Sequence, residues 1–165
     1  MWRNLPGDIA AWLNVTGLAV LAGATVYQMM VVVPEYNRDL PNGMIAFAAS
    51  HVLPANFWTS MAASAAEAMP FIALALNWKT PRKKWLLLSA GLAVAFSLAT
   101  VVYFLPRLGI MGQLEGARKP SADLQLLAAT VREWTVADQV RFWFGILPSF
   151  LAAVKAVTLP ASSTR

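Results

Sequence analysis

The chain has 165 residues, of which 58% are hydrophobic and 13% charged, and its formal net charge is +5. Soluble domains are about half apolar and about a quarter charged, so this composition predicts a membrane protein. The basic residues lie at the ends of apolar segments and in loops, as topology charges do, so they do not indicate nucleic-acid binding. Cysteine is absent and His51 is the one histidine, which excludes disulfides, zinc–thiolate sites, iron–sulfur clusters and a bis-histidine haem within one chain.

Four apolar segments are long enough to cross a bilayer, which takes about 20 residues. They are 9–33, 53–78, 85–106 and 136–159. Two shorter segments, 44–50 and 122–134, have the pattern of short helices that lie on the membrane surface. We therefore predict an all-α integral membrane protein with one domain, residues 1–165. The expected architecture is an up-down four-transmembrane-helix bundle with short outward-facing interfacial helices.

The loop between the second and third spans, KTPRKK (79–84), is densely basic, whereas the loop after the first span, PEYNRDLPNG (34–43), is not. The positive-inside rule places the basic loop and both termini in the cytoplasm. We expect an integral protein of a bacterial inner membrane.

Each predicted span carries small and polar residues on one face at 100° per residue. The stripes are Asn14, Gly17, Thr25 and Gln28; then Asn56, Ser60, Ser64 and Glu67; then Ser89, Ala93, Thr100 and Arg107, flanked by Tyr103; and then Trp134, Asp138, Arg141, Gly145, Pro148 and Ala152. Polar groups that face lipid are costly and small residues let helices approach, so we expect these stripes to face inward.

Glu67 is an ionisable residue near the middle of the second span. It is either a packing residue or a functional one, as a proton acceptor or a ligand group, and the cost of ionisable residues in a membrane favours function. Four residues about one turn inside the outward helix ends can ring a pocket, namely Gln28, Asn56, Tyr103 and Arg141. Glu67 lies ~16 Å deeper than Asn56. Because Glu67 lies this deep, we expect Arg141 to form its ion pair with Asp138, which is one turn earlier on the same face, and not with Glu67.

His51 precedes the second span. On a continuous helix it would point ~160° away from Glu67. It is either an interfacial cap or an acid, base or metal ligand. A metal would need Glu35 or Asp39 from the adjacent loop, and the spacing is not diagnostic. We predict no metal site.

Three stretches have features of a known family: GLAVLAGATVYQMMVVVP (17–34), YFLPRL (103–108) and REWTVADQVRFW (132–143). With them, nearly the whole chain resembles the anthrone-oxygenase-like membrane proteins, a four-helix family. The resemblance implies oxygenation of polyphenolic anthrones, known in some members, without a conventional cofactor. Trp134 and Arg141 match the pattern of the fourth helix. Family members often carry a histidine shortly before this arginine, where this chain has Ala137 and Asp138.

The first hypothesis is an oxygenase-like enzyme that binds and oxidises a lipophilic, aromatic small molecule. Its catalytic base would be Glu67 or His51. Arg141, together with Tyr103, would stabilise an enolate or phenolate. The residues expected to bind the substrate are Gln28, Asn56, Tyr103 and Trp134.

The second hypothesis is a non-catalytic accessory subunit or assembly factor of a membrane complex. Its polar stripes would then pack helices or bind a lipid, a quinone or a pigment. A third hypothesis is a small transporter that uses Glu67 and works as an oligomer. The expected partners are the lipid bilayer, a lipophilic small molecule, and a membrane-protein partner or further copies of this chain.

Overall fold

The structure is a computed structural model that describes residues 4–50, 61–112 and 124–160. Within these ranges the chain folds into three long helices and two shorter ones. We call them α1 to α5 in chain order. Each long helix contains one π-helical turn, in which the backbone hydrogen bonds span one more residue than in an α-helix.

The long helices are α1, α4 and α5. Helix α1 consists of Leu5–Tyr27, a π-helical turn at Gln28–Val32 and a last turn Val33–Asn37. Helix α4 consists of Lys83–Ala99, the π-helical turn Thr100–Phe104 and Leu105–Gly112. Helix α5 consists of Leu124–Arg141, the π-helical turn Phe142–Ile146 and Leu147–Val157. The shorter helices are α2, Asn42–Ser50, and α3, Met61–Leu76.

The helices α1, α3, α4 and α5 pack in a ring, in which α1 contacts α3 and α5, and α4 contacts the same two helices. Small residues allow this close packing. A Cβ atom on Gly17 would lie 3.1 Å from the Cα atom of Ala66, and one on Gly145 would lie 3.2 Å from the Cβ atom of Phe96. The main core lies between the four helices and contains Leu18, Leu21, Ala63, Ala66, Ala93, Phe96, Phe142, Ile146 and Ala153.

The two ends of the molecule differ. We call the end where residues 4–8, 77–83 and 156–160 meet the terminal end, and the opposite end the far end. The far end has a separate apolar cluster, formed by Val32, Val33, Tyr36, Met44, Leu127 and Val131. The segment Leu5–Asn37 has 33 residues, which corresponds to about 50 Å of helix. It is therefore longer than the hydrocarbon core of a bilayer, which is about 30 Å thick.

Three helical segments are long and apolar enough to cross a membrane: Leu5–Asn37, Lys83–Arg107 and Leu124–Val157. The apolar stretch Ala63–Leu76 of α3 is shorter. Large apolar side chains cover the outside of these helices, among them Met30, Val102 and Phe144. An apolar exterior of this kind is compatible with contact with lipid.

The structure confirms the short helix predicted at 44–50, as α2. The prediction of a separate surface helix at 122–134 is wrong, because Leu124–Arg141 is one helix that continues without a break to Val157. Leu124–Arg141 contains no proline or glycine, so no such residue ends the helix near residue 134. The inward position predicted for Ser64 is also wrong, since Ser64 is exposed.

Candidate functional site

A groove with a volume of about 800 Å³ runs along the contact between α4 and α5. Its walls are mainly apolar. The residues that line it are Ala95, Phe96, Ala99, Tyr103, Phe104, Arg132, Glu133, Val136, Ala137, Val140, Arg141, Phe144 and Gly145. Both adjoining π-helical turns, Thr100–Phe104 and Phe142–Ile146, contribute to this lining. Such turns occur frequently at functional sites, because they shift the register of the side chains that follow.

Arg141 places a positive charge in this apolar wall. Its side chain is 9% exposed. Its Nη2 atom donates a hydrogen bond to Oδ1 of Asp138 at 2.5 Å, and its Nη1 atom donates to Oγ1 of Thr100 at 3.1 Å. The ion pair predicted between Asp138 and Arg141 is therefore confirmed. Together the two bonds hold the guanidinium between α4 and α5.

Phe104 connects three of the predicted site residues. The guanidinium carbon of Arg141 lies 4.5 Å from the centre of the Phe104 ring. Trp134 and Tyr103 contact the same ring edge to face, with centroid distances of 4.7 and 5.3 Å. Aromatic pairs and cation–π contacts of this geometry are favourable, most of all where water is excluded. The structure thus gathers Tyr103, Trp134 and Arg141 around a residue that the sequence did not single out.

Charged residues of both signs lie where the groove approaches the far end of the molecule. Arg107 lies over the Tyr103 ring at 3.5 Å and donates to Oε2 of Glu133 at 3.1 Å. Glu133 and Arg132 line the groove and are exposed. An exposed ion pair contributes little to stability, because water screens it. These charged residues therefore form a polar rim of the groove and contribute little to the stability of the fold.

The other predicted site residues lie elsewhere. Glu67 on α3 is partly buried beside Ser97 and acts electrostatically on Arg141, but it is not among the residues that line the groove. Gln28 is buried in the π-helical turn of α1, also away from the groove. His51 and Asn56 lie outside the described residues. The predicted roles of these four residues remain predictions.

Among the described residues, no group of three or more His, Asp or Glu side chains is close enough together to hold a metal ion. The groove offers aromatic rings, aliphatic side chains and two arginines, Arg132 and Arg141, as its binding groups. Glu133 is the carboxylate in its wall.

Comparisons with protein-family models, with curated proteins and with solved structures gave no significant match. The function is therefore inferred from the residues and their geometry.

Proposed function

We propose that this chain is an up-down bundle of four membrane spans, in a bacterial inner membrane with both termini in the cytoplasm. The three long apolar helices and the apolar α3 support four crossings. Two contacts support antiparallel packing of α1 and α3: Asn77 donates to the carbonyl oxygen of Gly7 at 2.9 Å, and Ala66 lies against Gly17. The basic loop at 79–84 supports the orientation.

We propose that the groove binds a lipophilic small molecule whose polar end carries a negatively charged or hydrogen-bond-accepting oxygen. The observation that carries this proposal is the position of Arg141, a desolvated guanidinium in the wall of an apolar groove. Apolar walls gain about 25 cal/mol for each Å² of apolar surface that they bury. A charge-assisted hydrogen bond from arginine is stronger than a neutral one and fixes the orientation of the ligand. The volume lies in the range of ligand pockets.

The shape of the ligand follows from the lining. Phe96, Tyr103, Phe104 and Phe144 all contribute rings to the groove. Aromatic rings stack or pack edge to face with each other and gain more than their buried area alone gives. A planar aromatic ligand with a phenolic or enolic oxygen next to Arg141 combines both features.

The family resemblance extends this proposal to a reaction on an anthrone. In that reaction one molecule of O₂ converts the methylene carbon of the anthrone to a carbonyl group, and the second oxygen atom leaves as water with the two methylene hydrogens. Arg141 would stabilise the enolate oxygen that forms when the methylene group loses a proton. Of the carboxylates, Glu133 lines the groove, so we assign the proton abstraction to Glu133 rather than to Glu67.

The binding proposal is tested with alizarin, a planar hydroxyanthraquinone whose visible spectrum changes when its phenol ionises. The full chain in lipid nanodiscs is titrated with alizarin. We expect saturable binding of the phenolate and a Kd that rises roughly a hundredfold in Arg141→Gln, because a buried charge-assisted interaction is lost. The matched control is Arg38→Gln, which removes an exposed arginine at the far end. Equal affinity of wild type and Arg141→Gln would contradict the proposal.

The reaction is tested separately with 1,8-dihydroxyanthrone in air, by following the absorbance of the anthraquinone product. We expect the wild-type protein to raise the rate above the spontaneous oxidation, and Arg141→Gln and Glu133→Gln to lose the increase. Binding without any acceleration would leave the groove as a binding site and remove the oxygenase assignment. The accessory-subunit alternative predicts that the protein, purified in mild detergent from its own membrane, carries a stoichiometric protein partner and no small-molecule mass in native mass spectrometry.

A further inference from the structure

The carboxylate of Asp138 is buried next to the arginine of the groove. Among the described residues, only one of its two oxygen atoms has a hydrogen-bond partner. Asp138 is 1% exposed. Its Oδ1 atom accepts a hydrogen bond from Arg141, whereas its Oδ2 atom has no hydrogen-bond partner in the part of the chain that the structure describes. Buried polar atoms nearly always have a partner, so an orphaned carboxylate oxygen points to a bound water molecule or ligand.

A second orphaned acceptor lies close by, at the end of α1. The Oδ1 atom of Asn37 is buried and also has no partner among the described residues. The Nδ2 atom of Asn37 lies 3.4 Å from Oγ1 of Thr135, which precedes Asp138 by one helical turn and shares its face. The hydroxyl of Tyr36 lies beside Thr135 and interacts electrostatically with Asp138. These side chains therefore form one polar cluster at the interface of α1 and α5.

Two oxygen atoms of this cluster, Oδ2 of Asp138 and Oδ1 of Asn37, have no donor among the described residues. The hydroxyl of Thr135 already donates to the carbonyl oxygen of Val131 at 2.9 Å. The two orphaned atoms, on Asp138 and Asn37, are both acceptors. A water molecule donates two hydrogen bonds and fits this need. A metal cation fits less well, because Arg141 already neutralises the charge of Asp138.

Solvent lies next to this cluster. Asn37 is the last residue of α1, and the two residues that follow, Arg38 and Asp39, are exposed. Arg141, one turn after Asp138 on the same helix, lines the groove. Asp138 therefore stands between the solvent at the far end and the arginine of the groove.

We propose that a water molecule bound between Asp138 and Asn37 connects Asp138 to the solvent at the far end, and that Asp138 takes up a proton when its ion pair with Arg141 is broken. An anionic ligand in the groove would break the pair by competing for the guanidinium; this step rests on the proposed function. A buried carboxylate without its cation is unfavourable, so it accepts a proton instead.

The groups that face Asp138 support its role as the proton acceptor. On its own helix Arg141 is the counter-ion, and from α1 Tyr36 is the titratable neighbour. From α4, Thr100 contacts the same guanidinium but does not titrate. From α3, Glu67 acts on Arg141 and is the second carboxylate near this charge. The experiments must therefore separate Asp138 from Glu67.

The first experiment needs no ligand. In Arg141→Gln, Asp138 loses its cation, and we expect the infrared spectrum to show the carbonyl stretch of a protonated carboxyl group. The band should shift promptly when vesicles containing the protein are moved into D₂O, because water reaches Asp138. It should persist in Arg141→Gln/Glu67→Gln and vanish in Arg141→Gln/Asp138→Asn. A band that follows Glu67 instead of Asp138, no band, or a band that does not exchange would overturn the proposal.

The second experiment counts protons during binding. Alizarin is titrated calorimetrically in two buffers of different ionisation enthalpy, at a pH at which free alizarin is already the phenolate anion. We expect wild type and Asp39→Asn, an exposed carboxylate control, to take up about one proton for each alizarin bound. Asp138→Asn should bind at least as tightly with no uptake. Wild-type binding without uptake, or uptake retained in Asp138→Asn, would overturn the coupling. If wild type does not bind alizarin, the proposed function fails, while the infrared result still decides on Asp138.

Discussion

Two arginines in this molecule are almost equally buried and are held in different ways. The side chains of Arg82 and Arg141 are 8% and 9% exposed. Arg82, at the terminal end, forms an ion pair with Asp8 of α1, and its Nε atom donates to the carbonyl oxygen of Leu159 at 2.9 Å. It therefore ties together the start of α1, the loop before α4 and the end of the described chain.

Next to Arg82, Asn77 and its partners complete a hydrogen-bond network at the terminal end, which we call the terminal network. Asn77 is fully buried, and its Nδ2 atom lies 2.9 Å from the carbonyl oxygens of both Gly7 and Ala73. Its Oδ1 atom accepts a hydrogen bond from Asn4 at 3.3 Å. Among the described residues of this terminal network, no buried side-chain nitrogen or oxygen atom lacks a hydrogen-bond partner. A fully satisfied polar network of this kind fixes structure.

Arg141, in contrast, lies next to buried side-chain oxygen atoms that have no hydrogen-bond partner among the described residues. Its partner Asp138 has an orphaned oxygen, and so does nearby Asn37. Arg141 also lines a groove, whereas Arg82 contacts backbone and chain ends. Burial of a charge therefore does not by itself indicate function. A buried charge beside an apolar cavity, with unsatisfied neighbours, does so more directly.

We expect the two arginines to differ most in how their substitution changes the affinity for the ligand. Arg141→Gln should weaken alizarin binding by about 3 kcal/mol, because a desolvated charge-assisted interaction is removed. Its thermal unfolding midpoint should change little, because Asp138 can take up a proton. The measurement is a pair of titration and unfolding curves in nanodiscs. A large loss of stability with unchanged affinity would make Arg141 a structural residue like Arg82.

The opposite pattern is expected for Arg82→Gln. This change removes the ion pair with Asp8 and the hydrogen bond to Leu159, and we expect the free energy of unfolding to fall by about 2 kcal/mol. The loss of stability is moderate because the Asp8 side chain is partly exposed and stays hydrated when Arg82 is removed. The affinity for alizarin in the folded fraction should stay at the wild-type value. Loss of affinity without loss of stability would show that the terminal end also takes part in binding.

A smaller effect is expected where α1 and α3 approach each other. Gly17→Ala places a methyl group 3.1 Å from Ala66, which should cost about 1 kcal/mol of unfolding free energy. The matched control is Gly23→Ala, because a Cβ atom at Gly23 meets nothing within 4 Å. Alanine is also the better helix former. If both variants unfold at the same midpoint, the close packing of α1 on α3 is not as described.

The smallest effect is expected at Thr100. Thr100→Val removes the hydroxyl that accepts the hydrogen bond from Arg141, so we expect a loss of about 0.5 kcal/mol in unfolding free energy and a few-fold weaker binding of alizarin. Thr130→Val is the control, because the hydroxyl of Thr130 donates only to the backbone of its own helix at Leu126. Identical affinities in the two variants would mean that Thr100 does not position Arg141.

The helical fold and part of the site follow from sequence periodicity. Asn14, Ser89 and Asp138 were expected to face inward, and they are almost fully buried. The ion pair of Asp138 with Arg141 follows from the same spacing. These features depend on neighbours within a helix, which the 3.6-residue period determines.

The π-helical turns were not predictable in this way, because no residue type marks them. The turn at Phe142–Ile146 shifts the register of α5, so that Ser149 is fully buried and bonds to Ser89 at 3.1 Å, whereas the predicted stripe continued through Pro148. The turn Thr100–Phe104 likewise places Phe104 against Arg141. The groove depends on both turns, so the sequence indicated several of its residues but not their arrangement.

We propose that the ligand site is the groove between α4 and α5. The most direct measurement is photolabelling of the full chain in nanodiscs with a photoreactive hydroxyanthraquinone, followed by mass-spectrometric mapping of the labelled peptides. We expect label on residues 95–104 and 132–145, competed by alizarin and lost in Arg141→Gln. Competable label around Gln28 or Glu67 instead would contradict the claim and place the site inside the helix ring.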